Sequence, residues 1–350
     1  MGRPFWRAVL AGLIVLSLAW SGWSLWRVAQ SPLGGVLVAR AEDQLGAAYE
    51  RVLARHAGAD AIAARISERL EEPARNWVAL EGLMALAEAQ EVALPADVTE
   101  AYATAHAQDH SFAVRASTCA ACAYDLRACT MGADLACGLS VNLTVFGDVL
   151  SLSRESAAFA RGDAVDQLDV TLSFIGIGAT GLAVATGGAS LSLRAGASVM
   201  KTAHRMGRIT PGVQRIYRNA ARDGVDWRQL RAARSSDDLI RARRMEALRP
   251  ALDVTEALGT ISRQTGVRGT LHLVGYIESA AQAQRVARAT RVLGPRSVGA
   301  LEVLGTSRFL RTGLRLAQPV WEALAGLAAA FSALLAMIWT RLLRLLRRRL

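Results

Sequence analysis

Lysine is almost missing from this chain: Lys201 stands alone among 41 basic residues, the rest being arginine. Motifs that announce chemistry are missing too. There is no H-E-x-x-H, no G-x-S-x-G and no phosphate-binding loop, and no set of nucleophile, base and oxyanion donor stands out at motif spacing. The calcium-loop pattern of alternate oxygen ligands closed by a glutamate is absent, so Asp163, Asp166 and Asp169 read as helix-capping residues. No fixed-period repeat is visible, which argues against a solenoid. β-branched and aromatic residues concentrate enough for a strand only over 267–277, and Leu271, Leu273, Val274 and Ile277 suit a helix equally well. These absences leave topology, compartment and helical architecture as what the sequence states most clearly.

Two apolar segments bracket the chain, residues 8–26 and 320–340. The first holds 19 uncharged residues between Arg7 and Arg27, close to the roughly 20 needed to cross a bilayer core. Val28-Ala29-Gln30 is a poor cleavage site, and Trp20, Trp23 and Trp26 suit the interface of a helix that stays in place. The second holds 18 uncharged residues from Ala323 to Thr340 and runs into Arg341, Arg344, Arg347, Arg348 and Arg349. Arginines flanking a span stay cytoplasmic, so this tail and Arg3 with Arg7 place both termini inside and the bulk of the chain outside. The formal charge is +11, and the seven arginines just named account for much of it, which turns the excess into a topological signal rather than a nucleic-acid one. Arginine in place of lysine, with abundant alanine, fits a GC-rich bacterial genome; the outside compartment is then the periplasm.

Between the spans the pattern is helical. Leu45, Tyr49, Val52, His56, Ile62, Ile66 and Leu70 recur at helical spacing as one amphipathic helix, with His56 on its apolar face. Pro73 offers a new start, and Trp77, Leu80, Leu83, Met84 and Ala87 form a second stripe up to Pro95, so the pair reads as a helical hairpin. Thr210-Pro211 starts a helix, and Asp253 with Glu256 and Ser279 with Gln282 fit capping boxes, predicting helices over 212–249, 253–264 and 279–293. Charge is uneven: residues 40–110 hold six arginines against 13 carboxylates, and residues 194–250 hold 13 arginines and one lysine against five. The halves can face one another, or the basic half can face anionic lipid; Arg215, Arg218 and Arg222 share one helix face, whose plainest reading is a solvated surface.

Residues 170–193 carry no charge and contain Gly176, Gly178, Gly181, Gly187 and Gly188. Small residues let helices approach closely, so the segment reads as a buried glycine-rich hairpin, with membrane insertion as the rival. Insertion paired with residues 139–153 would place Asp148 in lipid at a cost of about 2.5 to 3.5 kcal/mol. The G-x-G-x-x-G spacing of Gly176, Gly178 and Gly181 has no surrounding strand and helix alternation and carries no dinucleotide reading.

All four cysteines fall in 19 residues: Cys119, Cys122, Cys129 and Cys137. In an oxidising compartment they form two disulfides, by any of three pairings, with Cys119 or Cys122 joined more easily to Cys129 or Cys137 than to each other. The rival is a metal site of His106, His110, Cys119 and Cys122, four ligands of the kinds zinc accepts. A redox dithiol at Cys119 and Cys122 is a third reading, without the strand and helix context it needs. His204 and His272 have no ligand partners at motif spacing.

The expectation is an all-α membrane protein: two terminal transmembrane helices flanking a helical extracytoplasmic body with a Gly-rich helical hairpin. Its divisions are a cytoplasmic N-terminus at 1–7, a span at 8–26, an acidic helical hairpin region at 27–110, the cysteine cluster and Gly-rich hairpin at 111–200, a basic helical region at 201–316, a span at 317–340 and an arginine tail at 341–350. The expected role is non-enzymatic scaffolding in the inner membrane, with the lipid bilayer and an envelope protein or a second copy as partners, no nucleic acid, no cofactor and no catalytic residue. Two alternatives stand beside it: a pore-forming or membrane-remodelling protein inserting residues 139–193, and an envelope metal or dithiol enzyme.

Overall fold

The computed structural model describes residues 32–132, 135, 189–224, 226, 229 and 244–313. The spans at 8–26 and 320–340, the arginine tail, Cys137 and residues 139–188 lie outside these, as do the aspartates at 163, 166 and 169. Among the described residues no helix is long and apolar enough to cross a membrane, and every regular element is helical, with no strand. The chain divides into two compact units, residues 1–47 with 316–350, and residues 48–315. The described part of the first is the beginning of helix α1, and the remaining description concerns the second.

The helices are α1 (Pro32–His56), α2 (Ala59–Leu70), α3 (Trp77–Ala89), α4 (Ala96–Asp109), α5 (Phe112–Tyr124), α6 (Ala189–Arg205), α7 (Pro211–Asp223), α8 (Met245–Val274), α9 (Ala280–Leu293) and α10 (Ser297–Thr312), with 3-10 turns at Leu126–Ala128 and Gly294–Arg296. Helix α8 is the hub. It packs most extensively on α6 and also meets α9, α7, α10 and α3, burying Leu248, Ala251, Val254, Leu258, Ile261, Leu271, Leu273 and Val274.

Two helix crossings depend on glycine. A Cβ on Gly196 of α6 would lie 1.8 Å from the Thr255 carbonyl oxygen, and one on Gly259 of α8 would lie 1.8 Å from that of Ser192. Ser192 and Gly196, like Thr255 and Gly259, are four apart, so small residues on one face of each helix let the backbones touch. Helices α3 and α10 repeat the device, with Gly299 against the Gly82 carbonyl at 2.1 Å from a built Cβ.

Caps explain several boundaries. The Thr210 hydroxyl accepts from Val213 N at 3.3 Å and donates to the Ile277 carbonyl, so the expected Thr210-Pro211 start of α7 is observed and is also tied to the end of α8. Ser279 accepts from Gln282 N at 3.3 Å, and Gln282 Oε1 accepts from Glu278 N at 2.7 Å, which closes the expected box one residue earlier than its standard form.

Other boundaries move. The single helix expected over 45–70 is two helices, broken at Ala57 and Gly58, where Gly58 takes an extended conformation (φ −75°, ψ 174°) before α2. The core face of α1 runs through Tyr49 and Leu53 to Ala57 just past its end, all buried, and His56 is exposed. Helix α3 starts at Trp77 rather than Pro73, because Asn76 Oδ1 accepts from Ala79 N at 3.1 Å and caps it. Trp77, Leu80, Leu83 and Ala87 of its expected stripe are buried, together with Val78, Ala79 and Leu86, a helix enclosed on nearly every side.

The helix expected over 212–249 stops at Asp223. Asp253 and Glu256 cap nothing, since both lie inside α8, which starts at Met245 and continues through Pro250. Pro250 sacrifices one intrahelical hydrogen bond, and burial of Leu248, Ala251 and Val254 offsets it. Residues 267–274 are helical, set off from the rest of α8 by a break at Gly266 (φ 69°).

Candidate functional site

The densest chemistry lies where α2, α3, α8 and α10 converge. Glu302 of α10 has no exposed side-chain surface. Its Oε2 accepts from Arg65 Nε at 2.9 Å and from Arg69 Nε at 3.0 Å and Nη2 at 2.8 Å. Its Oε1 accepts from Arg69 Nη2 at 2.8 Å and from the Tyr276 hydroxyl at 3.1 Å. Arg65 and Arg69 stand one turn apart on α2, and each also pairs with an acidic neighbour three residues on, Glu68 and Glu72 respectively.

His272 of α8 completes the cluster, with its side chain 2% exposed. Its tautomer follows from Asn76. Because Asn76 Oδ1 is occupied by Ala79 N, Nδ2 faces His272 Nδ1 at 3.1 Å, and a donor there requires the lone pair on Nδ1. The ring proton is thereby assigned to Nε2, which lies 2.9 Å from Glu302 Oε1 but off the line of an aligned hydrogen bond.

Burial by itself would push the Glu302 carboxyl up. The contacts of His272 and Arg69 outweigh it and hold the group down at about 2. Burial and the Glu302 charge push the Tyr276 hydroxyl up, so it remains a donor. A carboxylate this low, with both oxygens occupied, is a weak base. What it does is tie α2 to α8 and α10, and removing one partner of such a buried pair is far costlier than the pair is stabilising.

A second cluster lies on α4. Tyr102, His106 and His110 fall at intervals of four and form a ladder: Tyr102 stacks on His106 at 6.0 Å between ring centres, and His106 on His110 at 3.8 Å with planes 14° apart. Trp77 meets all three edge-on, at 5.6, 5.1 and 5.0 Å. The indole Nε1 donates to Asp109 Oδ2 at 2.9 Å, and Arg75 Nη1 donates to the same carboxylate at 3.0 Å. Burial first, and then the neighbouring His106, push the His110 imidazole down. Beside the ladder, a groove of about 560 Å³ is lined by Glu81, Met84, Leu94, Thr99 and Tyr102, among others.

His106 and His110 are therefore brought together as their spacing implied, but Cys119 and Cys122 do not join them. Cys122 is bonded to Cys129, with Cα atoms 4.4 Å apart, and Cys119 is also disulfide-bonded. A disulfide sulfur is not the thiolate that zinc requires. Among the described residues no group of three or more His, Cys, Asp or Glu side chains is arranged to hold a metal. Arg215, Arg218 and Arg222 do share the exposed face of α7, where Arg218 donates to Gln214 at 3.2 Å and Arg222 pairs with Asp223 at 2.8 Å. Glu302, Arg65, Arg69 and Tyr276 carried no local signal in the sequence, and His272 stood there without a partner.

Helix α5 differs from its neighbours. Only Cys122 is buried along it, while Phe112 is 89% and Tyr124 79% exposed, with Val114 also exposed. Its end is held by the Cys122–Cys129 bond and by Asp125, which caps the following 3-10 turn through Arg127 N at 2.9 Å.

No protein-family model, curated protein or solved structure matches the chain.

Proposed function

We propose that this chain is a non-enzymatic inner-membrane protein, anchored through residues 8–26 and 320–340, whose helical body stands in the periplasm as an interaction scaffold for an envelope protein or a second copy of itself. The observation that carries the reading is helix α5, with Phe112 offered to solvent on a segment stapled by Cys122–Cys129. Large aromatic side chains at such exposure act as anchors for a partner more readily than they act in catalysis. The disulfide suits an oxidising compartment, in keeping with the topology implied by the flanking arginines. The Glu302 cluster supports the same reading, since both carboxylate oxygens are occupied by groups that join helices.

The test has two arms. Reporter fusions at both ends and labelling of single introduced cysteines from each side of the membrane place the termini and the body. A photo-crosslinking residue at position 112 or 124 of the full chain, in intact cells, is expected to give one discrete adduct that the same probe at exposed Glu91 does not. A reporter after Leu350 active in the periplasm, or identical crosslinking from all three positions, overturns the reading. Leakage of dye from liposomes carrying the body would favour the pore-forming alternative instead.

A further inference from the structure

We propose that His106 and His110 form a two-imidazole chelate for a late first-row divalent cation, copper(II) above nickel(II) and zinc(II), on the surface of α4. The proposal is independent of the interaction reading above and uses neither cysteine.

Geometry carries it. The two residues are one helical turn apart, and their rings stack at 3.8 Å with planes 14° apart. Two nitrogens bound to one ion at about 2.0 to 2.1 Å stand roughly 3 Å from each other, a separation that residues four apart on one helix face can meet once the rings unstack and turn their lone pairs toward each other. Trp77 meets the rings at interplanar angles of 86° and 82°, and Tyr102 backs His106, so binding exchanges these ring contacts for coordination.

Ligand atoms are also on offer. His110 Nδ1 lies 3.1 Å from the His106 carbonyl oxygen, and donation to that oxygen leaves the lone pair on Nε2. This is the orientation by which metal-bound histidines are usually held, the second nitrogen donating to a carbonyl. The buried side-chain nitrogens and oxygens without a partner, among the described residues, are Arg268 Nε and His272 Nε2. The ring nitrogens of His106 and His110, residues that are both partly exposed, are not among them. The site lies in the last turn of α4, at the negative end of the helix dipole, and Glu81 adds negative charge against the positive charge of Arg115.

Two neutral imidazoles with the other positions left to water bind divalent metals in the general order that peaks at copper. The disulfides of Cys119 and Cys122 withhold the thiolates that would select softer ions.

The experiment titrates copper(II) sulfate into the full-length, tag-free, chelator-treated protein in detergent, read by calorimetry and by electron paramagnetic resonance. One equivalent with nitrogen hyperfine structure is expected, and His106→Gln and His110→Gln should each weaken it at least about tenfold, the floor set by what loss of outer-shell partners alone costs. His56→Gln and His204→Gln should leave it unchanged. Equal affinity in the His106→Gln/His110→Gln double variant overturns the proposal, and identifies the ladder as packing for Trp77 alone. Should those variants not fold, diethyl pyrocarbonate modification of the wild type decides it: copper is expected to protect both histidines, and equal modification with and without copper rejects the site.

Discussion

Asn76 and His272 are 196 residues apart in the chain and 3.1 Å apart in the fold, and one amide both caps α3 and sets the proton position on a buried imidazole. Asn76→Ala removes the cap and leaves His272 Nδ1 without a donor inside the core. The two losses, roughly 1 kcal/mol for the cap and 1 to 3 kcal/mol for an orphaned buried group, should lower stability by about 2 to 4 kcal/mol. Asn76→Asp keeps the cap but faces Nδ1 with an acceptor, so it should still lose the His272 share. Urea denaturation followed by circular dichroism checks both, and a wild-type midpoint for Asn76→Asp would refute the tautomer.

Glu302 couples stability to acid. Its folded-state carboxyl is lowered to about 2 from 4.5, so the unfolded chain binds the proton more readily. The stabilisation is therefore complete above about pH 4.5 and is lost as pH falls toward 2, amounting to about 3 kcal/mol in total. Glu302→Gln should flatten that part of the stability profile. Its cost near neutral pH should be about 3 to 5 kcal/mol, because Arg65 and Arg69 keep their charges in a half-buried site without the carboxylate. Urea midpoints from pH 7 to pH 2.5 for both proteins test this; parallel curves would show that Glu302 does not set the acid limb.

The glycines of the α6–α8 crossing should not tolerate even one methyl group. Gly196→Ala or Gly259→Ala would place carbon 1.8 Å from a carbonyl oxygen, forcing the helices apart, with a loss at the upper end of the overpacking range of about 1 to 3 kcal/mol. Gly58→Ala meets nothing within 4 Å and has an ordinary φ of −75°, so it should cost little. A larger drop in thermal midpoint for the crossing variants than for Gly58→Ala is the expected order.

Loss of the Cys122–Cys129 bond should free the end of α5. The bonded residues are seven apart, and a loop that short contributes about 2 to 3 kcal/mol through the unfolded chain. The Cys122→Ser/Cys129→Ser protein should show faster amide hydrogen exchange over 112–129 and unchanged exchange in α8. Unchanged protection in α5 would mean that the bond is not what orders it.

Helical character was legible from local signals wherever the signal and its consequence share a turn. Thr210-Pro211 and Ser279 with Gln282 mark real helix starts, because a cap binds an amide only two or three residues away. The stripe of α3 was legible for the same reason, and so was the pairing of His106 with His110 along one face of α4. Local signals misled where packing overruled them. Spacing put Val52 and His56 on the core face of α1, where packing buries Leu53, Gly58 was one small residue among many, and the helices expected over 212–249 and 253–264 left out Pro250, through which α8 continues.

What the amino-acid sequence determined alone is the helical class, the clustering of the cysteines and the charge asymmetry at apolar ends, since each is set by spacing along the chain. Only the tertiary structure decided that Glu302 would gather Arg65, Arg69, Tyr276 and His272, or that Gly196 would meet Gly259. Arg69 and Glu302 are 233 residues apart, and no periodicity reaches so far. Their meeting follows from how α2, α8 and α10 bury their apolar faces together, and a buried carboxylate then keeps its charge only because that burial delivers its partners.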